Sequence, residues 1–165
     1  FARSSYMNLI VSENQVASPG GFTLFYSEIG QKNVPVIVLV GAFQPVSPLY
    51  QFDFAKLFLS AAKEMGSMYT FTLGGYHSSE AGAERKIFVL PNDFQTYKAS
   101  LALNFILASG QISGAAGVIS GMSKYYGFRG GCLLAETTGD IPDKSASLVL
   151  YEKTLLLLDS LYPGS

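Results

Sequence analysis

Residues 110–140 read GQISGAAGVISGMSKYYGFRGGCLLAETTGD, a stretch of small residues that ends in an acidic turn. Ser113 suits the N-cap of a helix and Gly127 suits its C-terminal end, so the residues between them predict a helix. The apolar residues 131–135 follow almost at once and predict a buried strand. A helix that leads directly into a buried strand is typical of an α/β domain.

The predicted helix carries glycines on one of its faces. They are spaced i, i+3 and i+7, at Gly114, Gly117 and Gly121. Each interior glycine costs about 0.5–1 kcal/mol relative to alanine, so the stripe indicates that another group approaches the helix closely. We predict tight packing against a strand or a neighbouring helix, with a bound ligand as the alternative.

Strand patterns occur along the rest of the chain. Residues 34–40 form an almost unbroken aliphatic run, which is typical of a strand covered on both faces, as in a parallel sheet. Residues 68–73 predict a second buried strand. Residues 6–11 and 22–29 are separated by Ser-Pro-Gly-Gly at 18–21 and predict an antiparallel pair.

Helix signals alternate with these strands. Ser47 and Pro48 suit the start of a helix that ends at Gly66. A last helix begins near Pro142 and Asp143 and extends to about residue 161. Shorter elements are predicted as a strand at 87–90, a helix at 93–98 and a strand at 104–108. The alternation predicts a single α/β domain over residues 1–165 with a mostly parallel sheet.

The chain is poor in charge. Of its 165 residues, 48% are hydrophobic and 14% are charged, whereas a charged share of about 25% is usual. We predict that part of the surface is buried in a homo-oligomer. The net charge of −1 and the lack of a basic stripe argue against nucleic acid as a partner. No apolar run reaches the roughly 18 residues of a membrane span and no signal peptide opens the chain, so we expect a soluble cytoplasmic protein.

Glycines follow the ends of the strands predicted at 34–40 and 68–73, and an acidic turn follows the strand at 131–135. In open α/β sheets, ligands bind in the crevice beyond the carboxyl ends of the strands. The candidate crevice residues are therefore Gly41, Gln44, Gly74, Gly75, His77, Gly114, Gly117, Glu136 and Thr137. The alternative is that these are ordinary strand-to-helix turns, where glycine is common.

The candidate residues carry little catalytic chemistry. His77 is the only histidine, no set of metal ligands stands near it in sequence, and no G-x-S-x-G elbow is present. Glu136 and Asp140 could act as an acid and base; alternatively, Glu136 binds amides of the turn while Asp140 or Asp143 caps the last helix. Cys132 lies among apolar residues and predicts an inert core thiol. Nucleotide-binding loops are lacking, so we predict no catalytic residue, no metal and no cofactor.

Three motifs occur in the same order as in a known family. Residues 41–48, GAFQPVSP, are similar to its G-x-x-Q-P turn, and residues 72–76, TLGGY, are similar to its T-L-G-G-Y strand end. Residues 112–121 and 130–137 are similar to its longest motif pair. Residues 34–158 thus resemble the archaeal branch of the proteasome assembly chaperone two family.

This resemblance implies a three-layer α/β/α fold, akin to that of nucleoside phosphorylases and hydrolases. It implies a non-catalytic, oligomeric chaperone that binds α subunits of the 20S proteasome during assembly. Some members dock through a C-terminal hydrophobic–Tyr–any tail, a form that Leu161, Tyr162 and Pro163 have here. Such a tail must be terminal, yet Gly164 and Ser165 follow it. Either these two residues are not native, or the tripeptide is the fraying end of a helix.

The N-terminal part of the sequence departs from the family pattern. The family usually opens with a strand, a glycine-rich loop and a helix, and we expect the domain to lack this element, which is absent, trimmed or disordered ahead of Phe1. An alternative function is a nucleoside phosphorylase-like or hydrolase-like enzyme, or a small-molecule sensor, with its site at the carboxyl ends of the strands. This alternative rests on analogy of fold.

Overall fold

The computed structural model describes residues 9–11, 17–19, 22–41, 44–82, 84–139 and 141–162. Strands and helices alternate through most of these residues. The strands are β1 (Leu9–Val11), β2 (Ala17–Pro19), β3 (Phe22–Ile29), β4 (Val34–Gly41), β5 (Tyr69–His77), β6 (Ile87–Pro91), β7 (Ile106–Leu107) and β8 (Arg129–Thr137). The helices are α1 (Pro48–Glu64), α2 (Phe94–Ala102), α3 (Gly114–Ser123) and α4 (Lys144–Leu161), with a 3₁₀ turn at Lys124–Tyr126.

The central sheet has the strand order β5-β8-β6-β7. β5 and β8 are parallel, with Tyr69 opposite Arg129 at one end and His77 opposite Thr137 at the other. β6 runs antiparallel to β8, and β7 runs parallel to β6. Two of the three pairings are parallel, which confirms the prediction of an α/β domain with a mostly parallel sheet.

The central strand β8 is buried on both of its faces. Residues 130–136 are all buried, which explains why this strand reads as a continuous run of small and apolar residues. Leu133 and Ala135 join Leu157 of α4 in one core cluster. Because side chains alternate along a strand, Leu134 and Glu136 point to the opposite face, towards α3.

Helices cover both faces of this sheet. One core lies on the α2 and α4 side and consists of Ile87, Val89, Ala99, Phe105, Leu133, Ala135, Ala146, Leu150 and Leu157. The other lies among α1, α3 and the residue before β8, and consists of Phe54, Ala55, Leu59, Ala62, Ala115, Ile119 and Phe128. The three-layer arrangement implied by the sequence is thereby confirmed. None of the helices built from the described residues has both the length and the apolar character that a bilayer crossing needs.

β3 and β4 form a separate two-stranded antiparallel sheet, with Phe22 opposite Gly41 and Ile29 opposite Val34. Two predictions are therefore wrong. Residues 22–29 pair with the strand that follows them, while residues 9–11 pair with 17–19; residues 6–8 lie outside the described part. Residues 34–40 are not a strand of the parallel sheet, because the tight turn at 30–33, with positive φ at Gly30 and Asn33, closes a hairpin.

The turn of this hairpin is held by the C-terminal end of α4. The Asp159 carboxylate accepts hydrogen bonds from the backbone N–H of Gln31 at 3.0 Å and of Lys32 at 3.1 Å. The Lys32 ammonium donates to the carbonyl oxygen of Tyr162 at 2.8 Å. A Cβ on Gly30 would lie 2.5 Å from an Asp159 oxygen, so glycine is required there. We call these contacts of residues 30–32, 159 and 162 the hairpin clasp.

Replacement of Asp159 by alanine is expected to loosen the hairpin from the body of the protein. Hydrogen bonds to a charged group contribute about 1.5–3 kcal/mol, so amide exchange at Gln31 and Lys32 should accelerate by about tenfold or more. Amide hydrogen exchange followed by NMR would measure this. Lys32→Ala is the control, since it removes one contact of the clasp and leaves the carboxylate bonds in place; equal acceleration in both variants would contradict the role of Asp159.

Candidate functional site

The predicted crevice residues fall on two different faces of the central sheet. Gly74, Gly75, His77 and Thr137 line a cleft of about 490 Å³ between the carboxyl ends of β5 and β8 and the start of α4. Glu136 points to the other face of β8, where α3 begins. Gly41 ends β4 in the separate hairpin sheet. The sequence placed all of these residues in one crevice, whereas the alternation of side chains along β5 and β8 divides them.

The cleft on the α4 side is organised by Asp143. Its carboxylate caps α4 by accepting a hydrogen bond from Ala146 N at 2.9 Å, and it pairs with the Arg85 guanidinium at 2.8 Å. The hydrogen bond from Ala146, together with the Arg85 charge, lowers the pKa of the Asp143 carboxyl below its ordinary value. This confirms the predicted cap at Asp143; Asp140 lies outside the described residues. Because the helix start is occupied by its own carboxylate, it is a poor binding position for a phosphate.

The remaining walls of this cleft combine apolar and weakly polar groups. Leu73, Ile141 and Leu150 contribute apolar surface, and the hydroxyl of Ser147 donates to the carbonyl oxygen of Asp143 at 2.9 Å. His77 lies beside Gly139, where a Cβ would come within 2.8 Å of Nδ1. No group of three or more potential metal ligands occurs among the described residues. The cleft can hold a small molecule but presents no activated nucleophile.

The start of α3 is capped from a distant part of the chain. Ser113 occupies the predicted N-cap position, but its side chain makes no capping hydrogen bond. Gln44 performs this task instead, because its Oε1 accepts from Ala115 N at 2.9 Å. Gly114 has a φ of 84°, and a Cβ there would lie 2.6 Å from Gln44 Oε1. Gln44 and Gly114 therefore serve the geometry of the turn, which favours the alternative of ordinary strand-to-helix connections at this position.

The glycine stripe of α3 does not pack as the sequence predicted. A Cβ on Gly117 would overlap the carbonyl oxygen of Ile112, which belongs to the loop just before the helix. A Cβ on Gly121 would meet no atom within 4 Å. The prediction that a strand or another helix approaches the whole stripe is thus wrong, because the first two glycines accommodate local turns and the third lies next to open space.

Cys132 and Glu136 are both deeply buried in β8. Cys132 is fully buried, and burial raises the pKa of its thiol, as expected for an inert core residue. Glu136 is 3% exposed and its Oε2 has no hydrogen-bond partner among the described residues. The interpretation that Glu136 binds amides of the turn is not supported by this geometry.

The residues of the proposed docking tail lie beside the hairpin clasp. Leu161 ends α4 and packs against the core on the α2 and α4 side. The carbonyl of Tyr162 belongs to the clasp. Pro163 lies outside the described residues.

Several structural residues carried no strong signal in the sequence. Arg85, which pairs with Asp143, and Gln44, which caps α3, are each far in sequence from their partners. Asp93 is the exception. It stands three residues before Thr96, and its carboxylate accepts from the amide of Thr96 at 3.1 Å, which is the spacing of an N-cap.

Comparison with known sequences decides the family. Residues 4–160 match the PAC2 family. The chain belongs to the PAC2 family. This confirms the resemblance drawn from the three motifs. The PAC2 chain is 29% identical, over 121 residues, to an uncharacterised protein of Methanocaldococcus jannaschii, MJ1210, a match that covers 72% of this chain and 47% of that protein. It therefore spans about half the length of this curated relative.

Solved structures of PAC2-like proteins share the fold of this PAC2 chain. PbaB of Pyrococcus furiosus, described as an archaeal proteasome activator, has a TM-score of 0.78 at 24% identity over 91% of this chain and 67% of that one. PbaA of the same organism, described as an archaeal homolog of proteasome-assembly chaperone, has a TM-score of 0.70 at 21% identity over 98% and 64%. A PAC2 family protein of Streptomyces avermitilis has a TM-score of 0.71 at 16% identity over 92% and 65%. Identities this low establish a common fold.

Proposed function

We propose that this chain is a non-catalytic, homo-oligomeric protein of the cytoplasm that binds α subunits of the 20S proteasome during their assembly. The observation that carries this proposal is the PAC2 family match over residues 4–160. The structural likeness to PbaA, described as a homolog of proteasome-assembly chaperone, supports the same role.

The surface of the hairpin sheet supports a role in protein binding. Phe25 and Val38 are direct partners across β3 and β4, and their side chains are exposed by 54% and 45%. Val40 lies on the same face and is 51% exposed. An aliphatic strand is normally covered on both faces, so we propose that this face contributes to contacts between subunits or with a partner.

The C-terminal residues Leu161, Tyr162 and Pro163 are the proposed docking segment. Leu161 is a poor target for mutation because it packs against the core, where truncation would disturb the fold. The side chain of Tyr162 is half-buried beside the clasp. Tyr162 is therefore the residue whose replacement separates docking from stability.

Retention of purified proteasome α subunits on the immobilised chain would test the proposal. We expect wild-type protein to retain them and to shorten the time of ring formation measured by native mass spectrometry, with light scattering reporting its own oligomer. Tyr162→Ala should lower retention by about tenfold, the equivalent of about 1.4 kcal/mol of contact energy. Tyr125→Ala is the matched control, since Tyr125 is 89% exposed on another part of the surface.

Two outcomes would count against these claims. Absence of retention and of faster ring formation with the wild-type chain would overturn the proposed function. Equal retention by the Tyr162→Ala and Tyr125→Ala variants would overturn the docking segment alone.

A further inference from the structure

Glu136 is the one charged side chain that is fully buried in the described part of the chain. It lies near the carboxyl end of β8, and its backbone N–H donates to the carbonyl of Lys86 at 2.9 Å. The Lys86 side chain is exposed, and the ion pairs of the described residues involve other carboxylates, those of Asp53 and Asp143. The carboxylate is thus withdrawn from water without a counter-ion, which is unfavourable in a folded protein.

Two aromatic side chains flank this carboxylate. Tyr76 on β5 is the direct partner of Glu136, and Phe88 on β6 is the direct partner of Leu134, two residues earlier on β8. All of these positions share the α3 face of the sheet, since side chains alternate along each strand. β5 and β6 lie on opposite sides of β8, yet the ring centroids of Tyr76 and Phe88 are 5.0 Å apart. The two rings therefore lean over β8 and meet above the region of Glu136.

We propose that Glu136, Tyr76 and Phe88 form a binding site for an alkylammonium group, either a free amine or a lysine side chain. A buried carboxylate supplies the counter-charge, and aromatic faces attract ammonium groups and their alkyl carbons. Tyr76 controls entry to the site. Its side chain is 48% exposed, and β5 has no further strand paired to its outer side among the described residues, so the ring has room to turn away.

The site is distinct from the cleft that contains His77. That cleft is lined by Gly75, His77 and Thr137 and lies on the α4 side of the sheet. Tyr76 and Glu136 alternate with these residues and belong to the α3 side. The inference does not depend on the proposed role in proteasome assembly, and its test uses the isolated chain.

Thermal unfolding with n-butylammonium chloride tests the proposal, with sodium chloride at equal ionic strength and n-butanol as neutral controls. At ten times its Kd the amine should raise the unfolding midpoint by about 3–6 °C, while n-butanol and sodium chloride should not. Calorimetric titration of the folded chain should show one site per chain. An equal shift with n-butanol, or no saturable binding of the amine, would overturn the site.

Variants assign the site to the three residues. Glu136→Gln should abolish the shift, and circular dichroism would establish that this variant is folded. Tyr76→Phe should keep the binding and Tyr76→Leu should weaken it by about tenfold, and both changes lie at a half-exposed position where folding is least at risk. An undiminished shift in Glu136→Gln, or the same Kd in Tyr76→Phe and Tyr76→Leu, would overturn the assignment.

The source of the ammonium group is distinguished by a short peptide. Acetyl-Gly-Lys-Gly-amide is compared with n-butylammonium and with the same peptide carrying norleucine in place of lysine. Tighter binding of the lysine peptide than of the amine identifies a protein side chain as the natural occupant, and equal or weaker binding identifies a free amine. Both results support the site, whereas binding of the norleucine peptide as tightly as the lysine peptide would overturn it.

Discussion

Gly130→Ala is expected to lower the free energy of unfolding by more than about 3 kcal/mol, enough to unfold a large fraction of the chain. Gly130 has a φ of 127°, where a side chain is strained. A Cβ would also overlap the carbonyl oxygen of Thr70, the residue opposite it on β5. Neither strand can move aside, because β8 is held between β5 and β6. Urea unfolding followed by circular dichroism would measure the change.

Gly121→Ala is the matched control in the same motif. Gly121 lies in α3, and a Cβ there would meet no atom within 4 Å. Alanine should therefore raise the free energy of unfolding by about 0.5–1 kcal/mol through its better helix propensity. Destabilisation by Gly121→Ala, or a loss of less than about 1 kcal/mol in Gly130→Ala, would contradict this account of the glycines.

Asp93→Ala is expected to lower the free energy of unfolding by about 2–4 kcal/mol at neutral pH. The carboxylate caps α2 through Gln95 N at 2.9 Å and Thr96 N at 3.1 Å. It also accepts from the Thr96 hydroxyl at 2.5 Å and from Gly130 N at 2.9 Å. One side chain thus fixes the start of α2 to the start of β8. Asp53→Ala is the control, since Asp53 forms an exposed 3.7 Å ion pair with Lys56 and should change stability by less than about 1 kcal/mol.

The effect of Asp93 should depend on pH. Burial acts to raise the pKa of this carboxyl, but the hydrogen bonds from Thr96, Gly130 and Gln95 outweigh it, so the pKa lies below its ordinary value. The contribution to stability is complete above the pKa of an unfolded aspartate, about 3.9, and is lost as the pH falls through the lower value of the folded state. The difference between wild type and Asp93→Ala should therefore be constant from about pH 7 to pH 5 and shrink below about pH 4. A difference that grows towards low pH would contradict the assignment.

The sequence was most informative where a strand is covered on both faces. Residues 130–136 are all buried, so the pattern of β8 directly reflects its position in the sheet. The same reasoning failed for residues 34–40, where Val38 and Val40 are about half exposed. An apolar run records that a strand needs cover, and it does not identify the strand or surface that provides it.

The candidate crevice shows a second limit of sequence. Its residues do cluster at the carboxyl ends of β5 and β8, as the alternation of strands and helices predicts. Their division between two faces depends on the register of the strands, since neighbouring residues such as Glu136 and Thr137 point in opposite directions. The contact of Gln44 with Ala115 spans 71 residues and left no local pattern to recognise.

The hairpin clasp sets an order for the folding of a newly made chain. β3 and β4 leave the ribosome early and can pair at once, but Asp159 lies 128 residues beyond the turn that it holds. The hairpin must wait, with its aliphatic surface in solvent, until almost the whole chain has been synthesised. A chain stalled before α4 would carry a formed hairpin that cannot be anchored, and such a fragment would be prone to pair with other chains.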